Sequence, residues 1–304
     1  MRLGIHLPVV GSDGRSLTAT QVMDRARMIE EAGFNSAWLG DHIVGRPDAL
    51  QPLLLAAAAT EKLEVGTAIL QTPLRNPVEL AQRFLTLHAL TQGRFTAGVG
   101  SGSAQRSFDA INEPEKFESR FAIFKKDLET MRALAKGEEV DGTALNPLPG
   151  SEGGPPFVIG AWASGIWVKK AAREYEGWMT SGGRTNLKNL GEGIRRYRDA
   201  GGKRAMVATI LCDLSMPEGD LPEDSPELHG DLNAIGRRYS PENGFTLLCG
   251  PKSASKRLHQ LAELGYDDAL LVMRTPHYVY GDMTTADLKT MRDLIPRDDS
   301  QPWL

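Results

Sequence analysis

The chain has 304 residues, 41% of them hydrophobic and 24% charged, with a formal net charge of -4. This composition is typical of a globular protein and excludes a disordered or fibrous one, and its slight acidity argues against nucleic acid or an anionic membrane as a partner. The two cysteines, Cys212 and Cys249, lack the spacing of metal ligands, which favours free thiols in a reducing cytoplasm.

Apolar segments of the chain are too short to cross a membrane. The longest run covers residues 52–59, and the apolar start of the chain is interrupted by His6 and followed by no cleavage pattern. We therefore expect a cytoplasmic protein whose first residues form a strand rather than a signal peptide.

Strands and helices alternate through the first hundred residues. Val22, Ala26 and Ile29 fall on one face of a predicted helix that stops at Gly33, which is the pattern of an amphipathic helix. In order, we predict strand 2–7, helix 20–32, strand 36–39, helix 49–60, strand 63–70, helix 78–90 and strand 94–98. Such βαβ units place successive strands parallel to one another.

The alternation continues through the rest of the chain. In order, we predict helix 117–136, strand 157–161, helix 164–174, strand 177–180, helix 187–200, strand 205–214, helix 252–264, strand 268–273 and helix 285–294. Polar segments rich in proline and glycine surround helix 117–136, and an aperiodic segment over 215–245 follows the seventh strand. Eight strands alternating with eight helices predict one domain over 1–304, a (β/α)8 TIM barrel with insertions after strands 4 and 7.

Catalytic groups of parallel α/β folds lie at the carboxyl ends of the strands. The residues that follow the predicted strands are His6, Asp41, His42, 67–71, 100–106, 162–165, 180–184 and 274–277. Asp41 and His42 place two titratable groups at the end of one strand, which favours a catalytic role. The alternative is that Asp41 caps the next helix and His42 is an ordinary loop histidine.

The fourth strand runs into a glycine-rich segment that contains Gly98, Gly100 and Gly102. The spacing differs from that of a dinucleotide fingerprint, and no helix opens directly behind it. We expect either that a planar ligand approaches this backbone closely or that the segment is a plain tight turn.

Two other loops have the composition of an anion site. Ala163, Ser164 and Gly165 precede a predicted helix N-terminus, and residues 180–184 combine two hydroxyls with Arg184. Free N–H groups and the helix dipole favour a phosphate at such positions, although ordinary capping would use the same residues.

Several enzyme classes lose support from the sequence. It contains no serine hydrolase elbow, no P-loop and no histidine–carboxylate metal pair. His88 and His259 lie within predicted helices, where structural roles are expected. Hydrolase and metalloenzyme functions are therefore disfavoured.

Three segments resemble the luciferase-like flavin oxidoreductases in order and spacing: GFNSAWLGDH, LEVGTAILQTPLRNPVELAQRFLTLHALTQGRFTAGVGSG, and PPFVIGAWASG followed by AAREYEGWMTSG. The resemblance covers roughly residues 1–185 and the strand 268–273. It implies a (β/α)8 barrel that binds reduced FMN or the deazaflavin coenzyme F420 at the carboxyl ends of its strands. Asp-His after the second strand resembles the deazaflavin branch, whereas many FMN monooxygenases of the family carry Glu-His there.

The resemblance also implies which residues surround the ring of the cofactor. Asp41 is expected to hydrogen-bond the ring system, and His42 is expected to donate or accept a proton. Thr67, Ala68 and Ile69 are expected to back the ring, with a non-proline cis peptide between Ala68 and Ile69.

The same resemblance implies a binding region for the cofactor tail. Ala163, Ser164 and Gly165 match the position of small residues near the tail. Thr180 and Arg184 match the place where a tail phosphate is held in the family. Both loops are therefore expected to contribute to cofactor binding.

Departures from the family pattern concern the substrate. Ser103 stands where the sugar-phosphate dehydrogenases of the family carry a glutamate, which argues against that substrate. Arg106 replaces a smaller polar residue and is expected to pair with a phosphate or an acidic substrate. Trp162 is expected either to wall the pocket or to pack against the insertion. The remaining candidates for substrate contact are His6, Arg274 and His277.

Three hypotheses about function result. The first is an oxidoreductase that uses F420 for hydride transfer to or from a small organic substrate, with the chemistry supplied by the cofactor. The second is a monooxygenase that uses reduced FMN and oxygen, and the third is a non-catalytic flavin-binding barrel. The expected partners are a small-molecule substrate, a second copy of the chain, and a separate reductase that regenerates the flavin or deazaflavin.

Overall fold

The structure, a computed structural model, describes residues 1–11, 13–45, 48–146, 148–219, 244–273 and 283–298. Within these ranges the strands are β1 Arg2–His6, β2 Ser36–Leu39, β3 Glu64–Thr67, β4 Leu70–Gln71, β5 Phe95–Gly100, β6 Phe157–Gly160, β7 Gly177–Ser181, β8 Arg204–Asp213, β9 Leu247–Leu248 and β10 Asp268–Met273. The α-helices are α1 Ala19–Glu31, α2 Leu50–Ala58, α3 Pro77–Leu90, α4 Gln105–Asp109, α5 Lys116–Ala135, α6 Trp167–Glu174, α7 Leu187–Asp199, α8 Pro251–Glu263 and α9 Thr285–Arg292. Short 3-10 helices, Thr72–Leu74 and Gly182–Arg184, follow β4 and β7.

Eight of these strands close into a parallel barrel, as predicted. β1 pairs with β2 on one side and with β10 on the other, and β10 pairs with β8. The ring is completed in the order β2, β3, β5, β6, β7 and β8, while the two-residue strands β4 and β9 add to β5 and β8. Closure gives every strand of the ring a hydrogen-bonded neighbour on both sides.

The helices begin where the sequence offers a cap. Thr18 and Thr284 each form a capping box, and the side chains of Asn76 and Asn186 accept backbone N–H groups of the first turns of α3 and α7. The predicted helices are confirmed to within three residues at each end, whereas α4 was not predicted. None of the described helices combines the length and the hydrophobicity needed to span a membrane.

The predicted third strand, 63–70, is wrong in one respect. It is divided into β3 and β4 because the chain turns at Ala68 and Ile69, whose peptide bond is cis. The expected non-proline cis peptide is therefore confirmed at the expected position. The break removes both residues from the sheet and leaves their side chains half-exposed at the carboxyl-terminal rim.

Four charged side chains, Arg2, Glu64, Arg204 and Asp268, fill the amino-terminal end of the barrel. Arg204 donates to both oxygens of Glu64, at 2.8 and 3.0 Å, and to both oxygens of Asp268, at 2.9 Å. Arg2 supplies a second cation to both carboxylates. We call this set the amino-terminal ion cluster; its two cations balance its two carboxylates inside the sheet.

The ion cluster sets the protonation state of Glu64. Burial disfavours the charged carboxylate, but the charges of Arg204 and Arg2, together with hydrogen bonds from Arg204 and Thr96, outweigh burial and lower the pKa of Glu64 from 4.5 to about 2. Glu64 therefore stays ionised at neutral pH and contributes to stability through its partners.

Above the ion cluster the barrel interior is apolar. The residues of this layer are Trp38, Val158, Met179, Met206, Ala208 and Leu270. Gly66 makes room for the indole of Trp38, since a Cβ at this glycine would stand 2.2 Å from the ring. Ala68 and Ile69 pack on top of the layer. The amino-terminal end and the interior of the barrel are thus filled by protein atoms, and the carboxyl-terminal rim remains for function.

Candidate active site

The first feature of the rim is a buried ion pair beside the predicted catalytic histidine. All four residues of β2 are buried, and the strand delivers Asp41 to the rim with its side chain only 2% exposed. Arg75, in the turn after the first 3-10 helix, donates to both carboxylate oxygens at 2.8 Å. This bidentate geometry is the strongest form of the pair and fixes Asp41 in place.

Further hydrogen bonds tie the end of β2 to the turn after β3. The Gln71 side-chain amide donates to the backbone carbonyl of Asp41 at 3.2 Å, and Arg75 donates to the carbonyl of Gln71 at 3.2 Å. The Asp41 amide donates to the carbonyl of Ile69 at 3.1 Å. The alternative role of Asp41 as a helix cap is wrong, because Asp48 accepts the first amide of α2 at 2.9 Å.

His42, the next residue, is half-buried and close to a cation. Arg106 projects from α4, and its Nη2 lies 3.4 Å from Nε2 of His42. The structure thus brings together two residues that the sequence placed after different strands. His6, also expected in the site, accepts the Gly40 amide on its own Nε2 at 3.3 Å, so it supports the backbone that leads to Asp41.

The residues expected to back a ring divide into two kinds. Thr67 is fully buried, and its hydroxyl donates to the carbonyl of Gly98 at 2.7 Å, so its side chain belongs to the sheet. Ala68 and Ile69 are half-exposed and form an apolar surface at the rim. An apolar surface suits the face of an aromatic ligand.

Two of the glycines expected either to admit a ligand or to form a tight turn lie against protein atoms. A Cβ on Gly98 would stand 1.8 Å from the carbonyl oxygen of Thr67, and one on Gly100 would stand 2.1 Å from Cδ1 of Ile69. A Cβ on Gly160 would likewise stand 2.7 Å from Cδ1 of Ile69. These glycines therefore accommodate the protein itself and seat the apolar surface.

The first predicted anion loop differs from its expected geometry. Helix α6 begins at Trp167 rather than at residue 164, so Ala163, Ser164 and Gly165 form a turn ahead of the helix and not its N-terminus. Ala163 is buried in the core, where Gly193 leaves it room. The Ser164 carbonyl accepts a long hydrogen bond, 3.5 Å, from Arg196.

The second loop places a cation over an aromatic ring. The guanidinium of Arg184 lies 5.5 Å from the centroid of Trp162, which is 45% exposed. Thr180 is buried, and its hydroxyl has no hydrogen-bond partner among the described residues. Helix α7 is capped by Asn186 and begins after this loop. Trp162 and Arg184 therefore form one exposed surface at the rim.

A sequence profile described as the luciferase-like monooxygenase family matches residues 1–212, more than half of the chain. The chain belongs to this family. Because the matched segment runs from β1 into the end of β8, it contains His42, Arg75, Arg106 and the Ala68–Ile69 surface. The resemblance stated from the sequence is thereby confirmed.

The chain is also similar to curated relatives and to solved structures. The F420-dependent glucose-6-phosphate dehydrogenase of Nocardia farcinica is 31% identical over 183 residues, which are 54% of this chain and 54% of that protein. The match thus spans about half the length of that curated relative. The F420-dependent tetrahydromethanopterin reductase of Methanopyrus kandleri has a TM-score of 0.70 at 18% identity, covering 97% of this chain and 98% of the other. A monooxygenase from Streptomyces bottropensis has a TM-score of 0.71 at 20% identity, covering 97% of each chain. These two structures share the barrel fold.

Some residues of this luciferase-like site were not found from the sequence, and two predicted ones cannot be placed. Arg75 was missed because only the folded turn brings it to Asp41, whereas Gln71 lies at the end of the candidate range 67–71 and only its contact with Asp41 was not foreseen. Asp127 of α5 was also missed; burial raises its pKa from 3.8 to about 6, and Thr72 donates to it at 3.1 Å. Arg274 and His277 lie outside the described residues.

The arrangement combines an imidazole, a neighbouring guanidinium and an apolar surface. An imidazole at a rim is suited to proton transfer near neutral pH, and a guanidinium is suited to binding an anionic group. No cluster of histidine, cysteine or carboxylate side chains that could hold a metal ion occurs among the described residues. The imidazole and the guanidinium can supply acid–base chemistry and a cationic contact at the rim.

Proposed function

We propose that this chain is an oxidoreductase that uses the deazaflavin coenzyme F420 for hydride transfer to or from a small organic molecule. The observation that carries the proposal is the end of β2, where His42 is half-buried at the carboxyl-terminal rim and the preceding residue, Asp41, donates its amide to the Ile69 carbonyl at 3.1 Å. Curated relatives of the chain include F420-dependent dehydrogenases, which supports the deazaflavin as the cofactor.

The residues at the rim fit a planar ring with an anionic tail. Ala68 and Ile69 offer the ring an apolar surface, and the buried Thr180 hydroxyl is a donor that no described residue uses. Arg106 and Arg184 have no carboxylate partner among the described residues, so both cations can pair with ligand anions. We assign the ring of the cofactor to the Ala68–Ile69 surface and its tail to the loop of Trp162 and Arg184.

When bound, the deazaflavin would accept or supply the hydride. The proton that accompanies it would be moved by His42, whose Nε2 is the ring atom that faces Arg106. Asp41 would act through position, because Arg75 takes both of its carboxylate oxygens. The hydrogen bonds of Gln71 and Ile69 to the Asp41 backbone then hold His42 at the rim.

The substrate of the curated relatives is not carried over to this chain. Ser103 is an exposed residue in the turn before α4, and it offers no carboxylate to a sugar ring. We therefore propose a small organic substrate other than glucose 6-phosphate. The exposed Arg106 favours a substrate or cofactor group that carries negative charge.

The cofactor is tested first, by binding. Purified protein is titrated with F420 and, separately, with FMN, and binding is followed by equilibrium dialysis and absorbance. We expect saturable binding of F420 and no oxygen consumption during turnover. Preferential binding of reduced FMN with oxygen uptake would support the monooxygenase hypothesis instead, and the absence of binding to either cofactor would overturn both.

The role of His42 is tested next, by substitution. In His42→Ala the fold and F420 binding are expected to persist, while turnover with any active member of a panel of alcohols, aldehydes and sugar phosphates falls by about 10²–10⁴-fold. His259→Ala is the matched control, because His259 is exposed on α8 and, among the described residues, its ring contacts the Ser255 carbonyl of its own helix. Full activity of the His42 variant would contradict the proposal and favour a barrel whose histidine has no catalytic role.

A further inference from the structure

The contact between Arg106 and His42 restricts the state of the imidazole. A guanidinium has five N–H donors and no acceptor, so the 3.4 Å approach of Nη2 to Nε2 is a hydrogen bond only if Nε2 carries a lone pair. That condition excludes the imidazolium and the neutral form with its proton on Nε2. The form that remains is neutral, with the proton on Nδ1.

Arg106 is free to exert this effect through its charge. Its side chain is exposed on α4, and the contact with His42 is its one hydrogen bond to a side chain among the described residues. The carboxylate on the same helix, Asp109, accepts from the Gln105 amide instead, at 3.0 Å. A second positive charge on His42 would therefore meet a guanidinium that no described carboxylate neutralises.

The other charges around His42 leave this argument in place. Asp41 is paired with Arg75, which balances the nearest negative charge. His6 accepts the Gly40 amide on Nε2, so that atom carries no proton. Among the described residues, Asp48 before α2 and the Glu79–Arg83 pair on α3 line a pocket together with Asp41 and Arg75. Arg106 thus contacts His42 with a positive charge that no described carboxylate balances.

We propose that Arg106 is a positioning residue that keeps His42 neutral, with Nε2 as a hydrogen-bond acceptor, so that the resting protein presents a base rather than an acid. The guanidinium is exposed and can leave the imidazole when a ligand arrives, which uncovers the lone pair of Nε2. A substrate that loses a hydride from carbon and a proton from its hydroxyl would then give the proton to Nε2. The hydride would pass to the deazaflavin, and the alcohol carbon would become a carbonyl.

The consequence for the direction of the reaction rests on the proposed function, whereas the state of His42 does not. The test therefore uses the full chain without cofactor or substrate. The six histidines are labelled with ¹⁵N, and the signals of His42 are assigned by their loss in His42→Gln. The pH midpoint and the tautomer of His42 are then read by NMR in the wild type, in Arg106→Gln and in Arg27→Gln. Arg27 is an exposed arginine of α1 that pairs with Asp24 on the same helix, so its loss removes the same charge from a different part of the surface.

We expect the wild-type His42 to have an unprotonated Nε2 and a midpoint about 0.7 pH unit below that of Arg106→Gln, the shift given by two unit charges in contact in a water-like medium. Arg27→Gln should follow the wild type. Equal midpoints in the wild type and Arg106→Gln would overturn the proposal, as would a proton on Nε2 in the neutral wild type or an equal shift in Arg27→Gln. Because no cofactor is present, these results are independent of whether F420 binds.

Discussion

Replacing Glu64 by glutamine tests the energetics of the amino-terminal ion cluster. The substitution keeps the shape of the side chain but removes one of two carboxylates that balance Arg2 and Arg204. At about 1.4 kcal/mol per pH unit, a pKa lowered from 4.5 to about 2 corresponds to about 3 kcal/mol of stability. The usual loss on breaking a buried pair, about 3–5 kcal/mol, agrees with this value.

The pH dependence of the loss has a definite sign. The pKa of Glu64 is lower in the folded chain than in the unfolded one, so its contribution is complete above about pH 4.5 and is lost as the pH falls towards about 2. The difference between the wild type and Glu64→Gln should therefore be about 3 kcal/mol at pH 7 and roughly half of that at pH 3.

The assay is urea unfolding followed by circular dichroism at a series of pH values. Glu79→Gln is the matched control, because Glu79 is 55% exposed and forms an i,i+4 pair with Arg83 on the surface of α3. Its expected effect is below about 0.5 kcal/mol. A loss under about 1 kcal/mol for Glu64→Gln at pH 7, or a loss that stays constant down to pH 3, would refute the reasoning.

Three other substitutions address the remaining parts of the barrel. Arg75→Met leaves the Asp41 carboxylate buried without its partner and should lower the free energy of unfolding by about 3 kcal/mol in urea; a loss under about 1 kcal/mol would contradict the pairing. Gly66→Ala sets a methyl group against the Trp38 ring and should destabilise the fold by about 1–3 kcal/mol, whereas an unchanged thermal midpoint would disprove the close packing. Asp127→Asn removes a carboxyl whose pKa is raised from 3.8 to about 6 in the folded chain. The wild type should therefore lose stability relative to the variant as the pH rises from about 4 to about 6. Thermal unfolding midpoints of the two proteins that change in parallel over this pH range would count against it.

Local patterns predicted most of the secondary structure. Apolar runs bounded by glycine or polar residues became strands, and helices began at caps such as Thr18 and Asn76. These signals are short-range, since a cap and the amides that it accepts lie within three residues. The same pattern correctly placed Asp41 and His42 at the end of β2.

Glycine and turn residues were harder to interpret. A glycine at 98 or 100 is compatible with an approaching ligand and with an approaching protein atom, and the sequence does not say which one is present. In the structure the approaching atoms belong to the protein: the Thr67 carbonyl lies against Gly98, and the Ile69 side chain lies against Gly100. The start of α6 was missed for a similar reason: Ser164 and Gly165 suit a helix N-terminus and also the turn that precedes one.

The sequence by itself determined which residues end the strands, and hence that an aspartate and a histidine reach the rim. Only the tertiary structure decided which charges meet: Arg204 binds Glu64 across 140 positions, Arg106 reaches His42 across 64, and Arg75 pairs with Asp41 across 34. Such contacts depend on the register and stagger at which the barrel closes. A slip of one residue would turn each side chain to the opposite face of the sheet, and the pairing partner of each strand is fixed only when the barrel closes.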